Sequence, residues 1–196
     1  MRQIKLCLFS LALLTGGAAF GQVAEFTAHG GVSRLSNTDL GSVSQGTSGY
    51  SLDSGWRLGF RITLNNWNHF GHEFGYAYNR SHLNLDGQDQ GGMAIHQGFY
   101  DFLAYATPSG SKIRPFVAGG FHFNNYTPPG SSASYGQGST KFGVNYGAGV
   151  KARISEKFEM RVDYRQYANG KPFGIAGNSG WTKMNEISVG FGFVLD

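Results

Sequence analysis

Apolar and polar residues alternate along most of this chain with a period of two. Between residues 55 and 65, Trp56, Leu58, Phe60, Ile62 and Leu64 fall on one side and Arg57, Gly59, Arg61 and Thr63 on the other. That is the signature of a β-strand with one apolar face. Residues 141–155 repeat it, with Phe142, Val144, Tyr146, Ala148, Val150, Ala152 and Ile154 opposite Gly143, Asn145, Gly147, Gly149, Lys151 and Arg153. Phe158, Met160, Val162 and Tyr164 then alternate with Glu159, Arg161, Asp163 and Arg165. Weaker versions cover 23–35, 71–80, 94–107, 115–125 and 183–195, which makes eight strands. In 94–107, Phe99 and Leu103 fall on the polar side, so its register is open to a slip of one residue.

The connections alternate in length. NNWNHF, PSGSKIR and EKF are short, whereas 36–54, 81–93, 126–140 and 168–182 are long and rich in Gly, Ser, Asn and Pro. An even strand number with short turns at one rim and long loops at the other predicts an all-β fold, an eight-stranded antiparallel up-and-down transmembrane β-barrel. A soluble barrel uses the same alternation with its apolar face inward. Here the polar face mixes Gly, Asn and Thr with charges, and its small residues suit a crowded, concave interior, so the apolar face is assigned to lipid. Aromatic rings near the strand ends fit interfacial belts: Trp56 and Trp181 at the long-loop rim, Trp67, Phe70, Phe116 and Phe158 at the other.

Residues 1–21 read as a signal peptide, with Arg2 and Lys5 ahead of the apolar run 6–14 and Ala19-Phe20-Gly21 at the cleavage site. Nine apolar residues are far short of the roughly 20 that a spanning helix needs. The barrel domain is then 22–196, exported to the outer membrane of a Gram-negative-type bacterium. Cys7, the single cysteine, lies inside the apolar run, so the exported domain has no disulfide. Without Arg2 and Lys5 the 16 basic residues fall to 14 against 12 acidic, which implies no nucleic-acid surface.

Two segments, IRPFVAGGFHF (113–123) and ISVGFGFVLD (187–196), are similar to the fifth and closing strands of the small outer-membrane barrels of the OmpA, OmpX and opacity-protein kind. The resemblance covers the whole of 22–196. It implies a monomer embedded in outer-membrane lipid, with surface loops for adhesion, extracellular binding or envelope integrity. The family's closing strand ends on an aromatic residue, whereas here Phe193 is followed by Val194, Leu195 and Asp196.

The inward face collects Glu25, Glu73, Asp101, Glu159, Asp163 and Glu186 against Arg57, Arg61, Lys151, Arg153, Arg161 and Arg165. Charges in a narrow barrel are costly unless paired, and eight strands leave an interior about as wide as its own side chains. A closed structural ion-pair network is therefore expected, with Arg153 opposite Glu159 and Arg61 diagonal to Glu73. A narrow or gated porin is the alternative. Catalysis of the lipid-A-modifying kind would need a His-x-Ser pattern, and none of the six histidines is followed by Ser at that spacing. Ser81-His82 is the best remaining pair, but adjacent strand residues face opposite sides. His69 and His72 are spaced for a helix face and not for a strand, and no cysteine or carboxylate cluster joins them, so neither metal nor cofactor is expected.

Overall fold

A computed structural model describes residues 23–36, 39–42, 49–136, 138–174 and 180–195. The expected signal peptide, its cleavage site and Asp196 lie outside the described residues. Eight long strands form the wall: β1 (Val23–Ser36), β4 (Gly55–Trp67), β5 (Phe70–Leu85), β6 (Gln88–Tyr105), β7 (Ile113–Thr127), β8 (Ser139–Arg153), β9 (Phe158–Gly170) and β10 (Trp181–Leu195). Each pairs antiparallel with its sequence neighbour in the wall. β1 also pairs with β10 from Ala24↔Leu195 to Ser36↔Lys183, so the sheet closes on itself and the wall has no free edge.

The assignment of the faces holds throughout the wall. Phe60, Ile62, Phe121, Val144, Val162, Ile187 and Phe191 are exposed on the outside, whereas Glu25, Thr27, Arg61, Thr63, Glu73, Asp163 and Glu186 are buried within. β6 does not slip: Phe102 faces out, and Phe99 and Leu103 face into the lumen. Phe99 fits because its neighbour across the strand pair is Gly75, where a Cβ would lie 2.2 Å from the Phe99 ring. The expected aromatic belt loses one member. Phe116 is buried in the lumen against Tyr105, because the alternation that turns Val117 outward turns Phe116 inward.

Two long connections contain more structure than the sequence suggested. Residues 81–93, read as a loop, continue β5 and β6 to a two-residue turn, Asp86-Gly87, whose φ angles are 52° and 79°. Asp-Gly is suited to such a primed hairpin turn. The connection 36–54 carries two further strands, β2 (Asp39–Ser42) and β3 (Gly49–Leu52), which pair with each other, and β3 pairs with the upper part of β5. The β5–β6 hairpin therefore rises beyond the roughly 9 to 11 residues a strand needs to cross a bilayer, and β2–β3 lean on it.

Candidate functional site

The lumen is filled by two charged clusters. In the central one, Glu73 and Asp163 share the same three guanidinium groups. Asp163 accepts from Arg61 (2.7 Å), Arg161 (2.9 Å) and Arg165 (3.1 Å). Glu73 is paired with Arg161, with Arg165 at 2.7 Å and with Arg61 at 3.9 Å, and also accepts from the Thr63 hydroxyl at 2.9 Å. Glu186 bridges Arg57 (2.6 Å) and Arg61 (2.9 Å), while Asp101 is held by Arg165 and the Asn145 amide. Four carboxylates thus meet four guanidinium groups. The Phe99 ring lies under Arg61 and Arg165 and the Tyr167 ring under Arg57, at 5.4 to 5.7 Å from ring centre to guanidinium carbon.

The second cluster lies toward the short-turn rim. Lys151 is paired with Glu25 and lies 3.7 Å from Glu159, and Glu25 also accepts from Asn65 at 2.7 Å. Arg153 is opposite Glu159 in the strand register, as expected, yet it forms no ion pair among the described residues. It is the last residue of β8, only half-buried, and its backbone N–H donates to the Lys112 carbonyl. The sixth buried cation is Arg114 instead. Its guanidinium lies 3.7 Å from the centre of the Tyr105 ring and donates to the Asn68 carbonyl at 3.2 Å. With Arg114 counted in place of Arg153, the cluster carries two positive and two negative groups. Alternation with Pro115 and Val117 outward was the signal that could have placed Arg114 and Phe116 inside.

Toward the long loops the lumen becomes neutral and then apolar. Asn169 accepts from Asn124 (2.8 Å) and Tyr126 (3.2 Å) and lies 3.3 Å from His122. Above it Leu40, Leu52, Met93, Ile95 and Tyr126 form a buried cluster, with Leu35, Tyr50, Leu83 and Phe173 packed around it. Leu40 and Leu52 come from β2 and β3, so the connection 36–54 places apolar side chains over the mouth. Ser81 points inward and donates to the Asp53 carbonyl, while His82 faces out and contacts Asp89 at 2.9 Å. The Gly91 N–H, and then His82, hold the Asp89 carboxyl below the usual carboxylate range. Among the described residues no three His, Cys, Asp or Glu side chains are grouped to hold a metal ion.

A closed eight-strand wall, lipid-facing apolar side chains and a charged interior are joined by a sequence match: residues 9–194 fit the profile of the outer membrane protein beta-barrel domain. The chain belongs to that family. It is an outer-membrane β-barrel protein, with its short turns on the periplasmic side and its long loops outside. OprG from Pseudomonas aeruginosa is similar in structure at 16% identity, with a TM-score of 0.61 over 90% of this chain and 96% of that one. The N-terminal barrel of Pseudomonas aeruginosa OprF matches at 15% identity, TM-score 0.53, over 88% and 97%. Neisserial surface protein A matches at 14% identity, TM-score 0.52, over 88% and 95%. These likenesses establish the shared fold. A comparison with curated protein sequences finds no match.

Proposed function

We propose that this outer-membrane barrel is a closed, monomeric scaffold that carries its extracellular loops as a binding or envelope-stabilising surface, and not a porin or an enzyme. The observation that carries this reading is the burial of the lumen charges. Arg57, Arg61, Lys151, Arg161 and Arg165 are each at most 1% exposed, and all six lumen carboxylates have a cationic partner. Charges lining a conducting path would keep their hydration, whereas these have exchanged it for one another. The apolar cluster at the mouth adds a second closure above them. What the loops bind is left to their chemistry outside the barrel. Liposome swelling tests the reading: vesicles containing the folded protein should swell in small sugars and amino acids no faster than empty vesicles. Swelling that tracks solute size would establish a pore in its place.

A further inference from the structure

The outside of the wall has its own charge pattern. Among the described residues, the outward-facing wall positions level with the upper rim of β1, β4 and β10 carry Arg34 on β1, Arg80 on β5 and Lys183 on β10. All three are cations, and among the described residues none is paired with a carboxylate. The acidic residues of this end, Asp39, Asp53, Asp86 and Asp89, lie above, on β2, the β3–β4 turn and the tip of the β5–β6 hairpin. Asp86 accepts from the Gly49 N–H, and Asp89 is taken up by His82 and the Gly91 N–H.

The three cations share one sector. β10, β1, β4 and β5 are consecutive staves, so Lys183 and Arg80 are three strand spacings apart across the wall, about 14 Å, and four residues apart along the strand register, with Arg34 between them. Arg34 and Arg80 line a surface recess of about 470 Å³, which Trp56, Gly55, Ser54 and His82 also line. Arg80 has a prepared seat. It donates to the Tyr78 hydroxyl at 3.3 Å, and its guanidinium occupies the space beside Gly92, where a Cβ would come within 2.2 Å. Trp56 is exposed between the two arginines and presents an aromatic face beside them.

We propose that this arc binds the phosphorylated sugar headgroup of an outer-leaflet glycolipid of the diphosphoryl lipid A class. Arg34 and Arg80 take phosphate on either side of Trp56, which packs on the sugar, and Lys183 extends the positive field along β10. The depth argues for lipid as the occupant. These side chains face outward from the wall at the upper rim, where an outer-leaflet headgroup meets the barrel, and a guanidinium matches phosphate in charge and geometry.

Native mass spectrometry of the folded protein, released from detergent micelles doped with diphosphoryl lipid A, dephosphorylated lipid A or phosphatidylglycerol, tests the proposal. Wild type should retain one diphosphoryl lipid A in preference to the other two. Arg34→Gln with Arg80→Gln should weaken that retention about tenfold or more, and adding Lys183→Gln should weaken it further. Lys112→Gln with Lys157→Gln, on the periplasmic turns, should leave retention unchanged. A heat-modifiability gel on every variant separates lost binding from lost folding. Undiminished retention by the folded double variant, or equal retention of the dephosphorylated lipid or of phosphatidylglycerol, would overturn the assignment.

Discussion

Glu73 and Asp163 compete for the same three arginines, so removing either leaves more than one guanidinium short of charge. Glu73→Ala should destabilise the folded barrel by about 3 to 5 kcal/mol, the usual cost of breaking a buried ion pair. Urea titration in lipid vesicles measures it. A second substitution, Arg161→Ala, made in the Glu73→Ala background should recover part of the loss, because one stranded cation goes with it. Arg153→Ala should stay within about 0.5 kcal/mol, since that side chain has no ion-pair partner among the described residues and is only half-buried. At this scale the sequence was informative wherever alternation was strong. Eleven of the twelve lumen residues expected from the pattern are buried inside, and the exception, Arg153, is at a strand end where parity no longer decides whether a side chain meets the lumen or the periplasm. Arg114 and Phe116 followed their strand's alternation and were obscured by their nearness to a short turn. Which carboxylate meets which cation depends on strands far apart in sequence, such as the pairing of Glu73 with Arg161 and Arg165, and no local pattern carries that.

The strands themselves were legible because lipid and lumen demand opposite side chains at successive positions. That demand ends where the wall leaves the bilayer. Residues 81–93 are mostly polar and Gly-rich, with only Leu83, Leu85 and Met93 apolar, so alternation does not mark them as strand and the Asp86-Gly87 turn is their clearest signal, while β2 and β3 are too short for alternation to declare them. Within the bilayer the constraint can be measured. Phe60→Arg and Val162→Arg each put a charge on the lipid face and should cost roughly 2 to 4 kcal/mol at mid-membrane, read from refolding into lipid vesicles. Thr63→Ser, on the lumen face, keeps the hydroxyl that Glu73 accepts and should be nearly silent. Equal losses at all three positions would contradict the inside and outside assigned to the wall.

At the scale of the whole molecule, the closed sheet, the apolar exterior and the paired interior describe a protein that depends on its membrane for solubility and on its own side chains for its core. Export is the first consequence. Protein extracted from outer membranes should begin at Gln22, and N-terminal sequencing that found Met1 would contradict cleavage after Gly21. On the proposed reading, charge pairing closes the lumen beneath an apolar mouth. Single-channel recording in planar bilayers tests it most directly: the wild-type protein should show at most small, intermittent conductance. A large, steady conductance with a marked preference for anions or cations would show that the buried charges line a water-filled channel.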